Sequence, residues 1–230
     1  SQDDACYSVK MDLSGNVVFA GGTESNNIPG TASGFQPNNG GGSTDGFVVK
    51  IPSGGNTITQ ASYIGMNQYD QVFFVEIDRV NNVFLLGQSV GGNFPINNAT
   101  YSNGASSNFV IKLDSLLSTN LASTRFGNGS PDIHISPSAF LVDNCGNIYI
   151  SGWGANILQA TPLNNMPVTT DAFQGTPANG FDFYLMVMKA DMSNILYGSY
   201  IGGPQSDEHV DGGTSRFDKN GIVYQCVCAG

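Results

Sequence analysis

Apolar residues along this chain come in short runs, alternating with polar ones at a period of two and broken by Gly, Asn, Asp and Pro. The pattern returns in phase. Asp12-Leu-Ser-Gly-Asn16 leads into Val17-Val-Phe-Ala-Gly21, and Asp78-Arg-Val-Asn-Asn82 into Val83-Phe-Leu-Leu-Gly87. Asp143-Asn-Cys-Gly-Asn147 leads into Ile148-Tyr-Ile-Ser-Gly152, and Asp218-Lys-Asn-Gly221 into Ile222-Val-Tyr-Gln-Cys226. The successive Asp residues stand 66, 65 and 75 residues apart. Each such element predicts a tight antiparallel turn in which Asp caps its own backbone and Gly takes a positive φ.

Other landmarks keep the same phase. Apolar runs end in Lys50, Lys112 and Lys189, and shorter runs end in Gly65, Gly127 and Gly202. Asp70, Asp132 and Asp207 each follow those glycines by five residues, and Asp4 fits the start of the series. Every unit therefore predicts four strands, which in the first are Tyr7–Asp12, Asn16–Gly21, Gly46–Ile51 and Gln60–Gly65. Pro29, Pro95, Pro162 and Pro167 fall in the long connection after the second strand, as expected of an irregular outer loop. No window carries a helical period. Four-stranded units of this length with no helix between them predict an all-β chain, a β-propeller of antiparallel blades. The expected domain is one segment over 1–230, with repeats at about 4–69, 70–131, 132–206 and a truncated 207–230. Three full blades and part of a fourth make a fragment of a larger propeller.

Composition narrows the partners. The net charge of -10 with only 8 Lys plus Arg argues against nucleic acid and anionic membrane surfaces. No run approaches the length of a membrane span. Low charge, 30 glycines and a surface rich in Asn, Ser and Thr point to an extracellular or cell-surface protein. The opening Ser1-Gln2-Asp3-Asp4, without signal peptide or initiator Met, is expected of a mature or excised piece of a longer polypeptide.

The repeated Asp-x-x-Gly-Asn-(Val/Ile)-(Tyr/Phe), Phe-Gln, Asp-(Gly/Ala)-Phe-Val-x-Lys and Ser-Tyr-Ile-Gly-Gly resemble the bacterial SBBP-type β-propeller repeat. Glu208-His-Val-Asp-Gly-Gly-Thr-Ser-Arg-Phe-Asp218 and the ending Val223-Tyr-Gln-Cys-Val-Cys-Ala-Gly230 resemble large surface and secreted proteins of Bacteroidota. Those proteins often carry PKD-type modules and a gliding-motility-associated C-terminal sorting domain. The resemblance spans essentially the whole chain and implies export by the type IX system, but no reaction. Ile222 departs from the usual Asn, the third unit carries an insertion around Ala155–Pro167, and the sorting domain is absent. The resemblance also implies a further Cys just beyond Gly230.

The candidate chemistry is sparse. The only histidines are His134 and His209, with no nucleophile elbow beside them, so no catalytic residue is assigned and no cofactor is required. Both follow a phased Asp by two residues, in units where three residues are added before the innermost strand. Asp132 and His134 with Asp207, His209 and Asp211 are therefore a candidate divalent-cation or polar-ligand site at the axial mouth, against a plain structural role for each His. Asp114-Ser115-Leu116 resembles the short O-glycosylation acceptor of Bacteroidota, which makes Ser115 a candidate modification site. Cys6, Cys145, Cys226 and Cys228 show no obvious partners, and their bland reading is reduced and buried. Lys10 and Glu76, equivalent residues on neighbouring innermost strands, are placed to pair. The expected function is a non-catalytic binding or scaffolding module for adhesion, matrix or glycan contact. Its partners would be further blades of the same polypeptide or other surface proteins. The rivals are a polysaccharide-active enzyme using axial carboxylates and a structural subunit of a larger surface assembly.

Overall fold

The computed structural model describes residues 3–154, 162–205, 208–209, 215–218, 220–225 and 228–229. Three four-stranded antiparallel meanders follow one another along the chain. The first comprises β1 (Asp4–Met11), β2 (Val17–Thr23), β3 (Asp45–Ile51) and β4 (Gln60–Ile64). The second comprises β5 (Asp70–Ile77), β6 (Val83–Ser89), β7 (Asn108–Leu113) and β8 (Asn120–Phe126). The third comprises β9 (Ile135–Val142), β10 (Ile148–Gly154), β11 (Phe183–Met188) and β12 (Ile195–Ile201). Beyond them β14 (Ser215–Phe217) pairs β15 (Val223–Gln225), and β13 (Glu208–His209) pairs β16 (Cys228–Ala229). The helical content among the described residues is a single 3-10 turn at Thr31–Ser33.

The register is the same in every unit. Met11 faces Val17, Ile77 faces Val83, Val142 faces Ile148 and Phe217 faces Val223 across the Asp turn. A register shift interrupts the first strand pair of all three complete sheets, at Cys6/Ser8, Val72/Phe74 and opposite Ser151/Gly152. One expected landmark moves. Val187, not Lys189, stands where Lys50 and Lys112 stand, because Met188 faces Ile148 as Ile51 faces Val17 and Leu113 faces Val83, which leaves Lys189 two places further on.

The period of two sends alternate residues to opposite faces, and the sheets stack on both. Val18, Ala20, Val48 and Ile64 of the first sheet pack on Val75, Leu85, Phe109 and Ile111 of the second. The other face of the second sheet, Phe84, Leu86 and Val110, packs on Phe140, Ile148, Ile150 and Met186 of the third. The outer loops repeat a contact of their own. The Phe35 N–H donates to the Leu117 carbonyl at 2.7 Å, and in the next unit the Tyr101 N–H donates to the Met192 carbonyl at 3.1 Å.

Candidate functional site

The hairpin turns between the first two strands of each unit gather at one end of the sheets. In the first, Asp12 Oδ1 accepts the N–H groups of Ser14 and Asn16 at 2.9 Å, and Asn16 Nδ2 donates to Oδ2 at 2.8 Å. Asp78 and Asp143 repeat this set with Val80 and Asn82, and with Cys145 and Asn147. Asp218 repeats it with Asn220 and Ile222. The fourth residue of each turn has a positive φ, at Gly15, Asn81, Gly146 and Gly221.

Neighbouring turns are joined. The Leu13 N–H donates to Asn81 Oδ1 at 2.9 Å, and Arg79 Nε donates to Asn144 Oδ1 at 3.2 Å. Lys50 ties its own turn to the next sheet, with Nζ 2.8 Å from Asp12 Oδ2 and 3.0 Å from the Ser115 carbonyl. Burial of Asp12 would push its pKa up, but Lys50, Asn16 and Ser14 outweigh it and hold the carboxyl at about 2. Between the second and third turns lies a pocket of about 220 Å³ whose lining includes Asp78, Arg79, Lys112, Asp143, Asn144 and Cys145. Lys112 is fixed there by Asp78 Oδ2 at 3.1 Å and by the Phe84 ring at 4.8 Å. The result is a polar arc of backbone and amide groups with three anchored cations, Lys50, Arg79 and Lys112, suited to a polar ligand.

Asp132 and His134, singled out from sequence, lie elsewhere. They precede β9, at the opposite end of the first strand from the turns. His134 is buried, and its Nδ1 meets the Asp132 backbone carbonyl at 2.8 Å, so Nδ1 carries the hydrogen. The Asp132 carboxylate is on the surface, taking the Ser130 hydroxyl at 3.1 Å. Asp207 and Asp211, and the side chain of His209, lie outside the described residues. Among the described residues no three His, Cys, Asp or Glu side chains gather around one point.

Ser115 lies in the β7–β8 turn as expected, half-buried, with its carbonyl taken by Lys50. Cys6 and Cys145 correct their bland reading: both are free and exposed. Cys6 sits on β1, whose outer face no other sheet of the described residues covers, and Cys145 sits at the tip of a turn. Cys226 and the Cys228 side chain lie outside the described residues. Lys10 and Glu76 pair as their spacing predicted, at 2.6 Å.

Sequence reasoning missed the bonds between turns. Leu13, Asn81, Arg79 and Asn144 carried no signal beyond belonging to the repeat. No family model matches the chain, and no curated protein matches it.

Proposed function

We propose that this chain is a run of β-propeller blades acting as a non-catalytic binding or scaffolding module in a secreted or cell-surface protein. One observation carries the architecture: positions buried between sheets are bare at both ends of the run. Val75 is 1% exposed and Phe140 7%, each covered by the preceding sheet, whereas the equivalent Val9 is 60% exposed. Met11, equivalent to half-buried Ile77 and Val142, is 70% exposed. At the far end, Phe35 and Tyr101 pack towards the next unit, and the equivalent Phe173 is 78% exposed. These faces fit further four-stranded units, which would bury the same positions in the same register.

The arc of turns is the ligand-facing surface in this reading, because its acids already serve as turn caps rather than as a free catalytic pair. Export by the type IX route rests on the sequence resemblance and on the low-charge, Asn-, Ser- and Thr-rich composition. The test is light scattering of the isolated chain over a range of concentrations. The wild type should self-associate, and Val9→Asp with Phe173→Asp should shift it towards monomer. A monodisperse closed monomer, unchanged by either substitution, would overturn the reading.

A further inference from the structure

The seam between the first two sheets holds two carboxylates that no cation reaches. Asp45 starts β3 and is 3% exposed, and Asp70 starts β5 and is 0% exposed. Each uses one oxygen on backbone: Asp45 Oδ2 accepts Gly40 N–H at 3.1 Å, and Asp70 Oδ2 accepts Met66 N–H at 2.8 Å. The other oxygen of each, Oδ1, is buried without a hydrogen bond. Both groups close on Gly65. A Cβ there would collide with Asp45 Oδ1 and stand 3.1 Å from Asp70 Cγ. None of the ion pairs among the described residues involves either acid.

A third oxygen joins them independently. Ser89 faces Asp70 across β5 and β6, is 1% exposed, and lies beside the Asp70 carboxylate. Its Oγ nonetheless makes no hydrogen bond of acceptable geometry. Thr23, at the equivalent place in the first sheet, donates its hydroxyl to Asp4. Two buried carboxylates, each with one oxygen unpartnered and only the Ser89 hydroxyl beside them, are costly unless something positive sits among them. Burial, above all, and then the Asp45 charge push Asp70 up to about 6, against the opposing Ser89 hydroxyl and Met66 N–H.

The pairing has a rule within the chain. At the seam between the second and third sheets, Ser107 stands in the place of Asp45 and Ile135 in the place of Asp70. After the third sheet both acids return. Asp182 takes the place of Asp45, and Glu208 accepts the Gly203 N–H at 3.1 Å as Asp70 accepts that of Met66. Asp182 is 0% exposed, its Oδ1 again has no hydrogen bond, and a Cβ on Gly202 would collide with its carboxyl. The two acids are present together or absent together, as partners in one ligand set are.

We propose that Asp45 Oδ1, Asp70 Oδ1 and Ser89 Oγ bind a hard divalent cation of the Ca²⁺ class that locks the first two sheets together. An all-oxygen set with two carboxylates from different units suits Ca²⁺, which accepts irregular geometry and completes its shell with carbonyls or water. The site is distinct from the one expected around His134 and His209, and does not depend on the propeller reading.

The experiment titrates the chelator-treated full chain with Ca²⁺ by calorimetry and with Tb³⁺ by luminescence, Tyr69 next to Asp70 serving as a sensitiser. Saturating Ca²⁺ should raise Tm by roughly 5–10 °C. Asp70→Asn and Asp45→Asn should each weaken binding at this seam by about tenfold or more, and Asp171→Asn, an exposed loop acid, should not. Asn keeps an acceptor for the backbone N–H, so each variant should retain the β-sheet circular dichroism of the wild type. Absence of Ca²⁺ and Tb³⁺ binding by the wild type at millimolar concentration overturns the proposal and leaves a proton shared by the two acids. Binding that is unchanged in both variants overturns it equally.

Discussion

At the residue scale, what joins these sheets is polar chemistry at places where apolar packing runs out. Lys10 and Glu76 meet at 2.6 Å on adjacent first strands, with side chains 43% and 12% exposed. Burial pushes the Glu76 carboxyl up, and Lys10 pulls it back. Because Lys10 stays wet, a double-mutant cycle with Lys10→Met and Glu76→Gln should give a coupling of only about 0.2–1 kcal/mol, shrinking in high salt. A coupling of several kcal/mol would mean that the pair is sealed from solvent by something beyond these residues. This contact was legible before the structure, since repeats place equivalent residues of neighbouring units opposite one another. The convergence of Asp45, Asp70 and Ser89 was not. Asp70 belonged to the phased series, but nothing in the sequence says that its neighbour across the seam begins the third strand of the preceding unit. The expected equivalence of Asp132 with Asp70 fails for a related reason. Three residues are added in this unit, so Ile135 takes the strand position and Asp132 remains on the surface.

At the level of single elements, the Asp turn is the most faithfully encoded feature. Its Asp, its positive-φ residue and its two flanking strands followed from turn chemistry and alternation, and the strand bounds agree to within about three residues. The run Phe183–Met188 shows where encoding weakens. It is apolar at every position, so no alternation fixes its register, and Lys189 falls two places beyond the position opposite Tyr149, which Val187 takes. The turn also carries a pH signature. Asp12 is held at about 2, below its ordinary 3.8, so its contribution is complete above pH 4 and is lost as pH falls towards 2. The shift corresponds to on the order of 2 kcal/mol. In urea unfolding at pH 6, Asp12→Asn should therefore be less stable than wild type by about that amount, and the gap should narrow by pH 2.5. A gap that stays constant between those pH values would show that Asp12 acts only as a hydrogen-bonding cap.

Over the whole molecule, the account rests on the sameness of the interfaces. The two complete seams bury equivalent residues in equivalent register, and in the proposed reading a bare equivalent face is an interface for a further unit. The repeat announced the three four-stranded sheets and their strand order. It was silent on which loops cross the seams, because bonds such as Phe35 to Leu117 run through backbone atoms of irregular segments. The sharpest check is oxidative footprinting of Met11, which is 70% exposed here, in the isolated chain and in the longest polypeptide that contains it. Strong protection of Met11 in the longer polypeptide, with rapid oxidation in the isolated chain, is the predicted result. Equal, rapid oxidation in both would contradict the account, since the face that should carry the preceding unit would then be open in the natural protein.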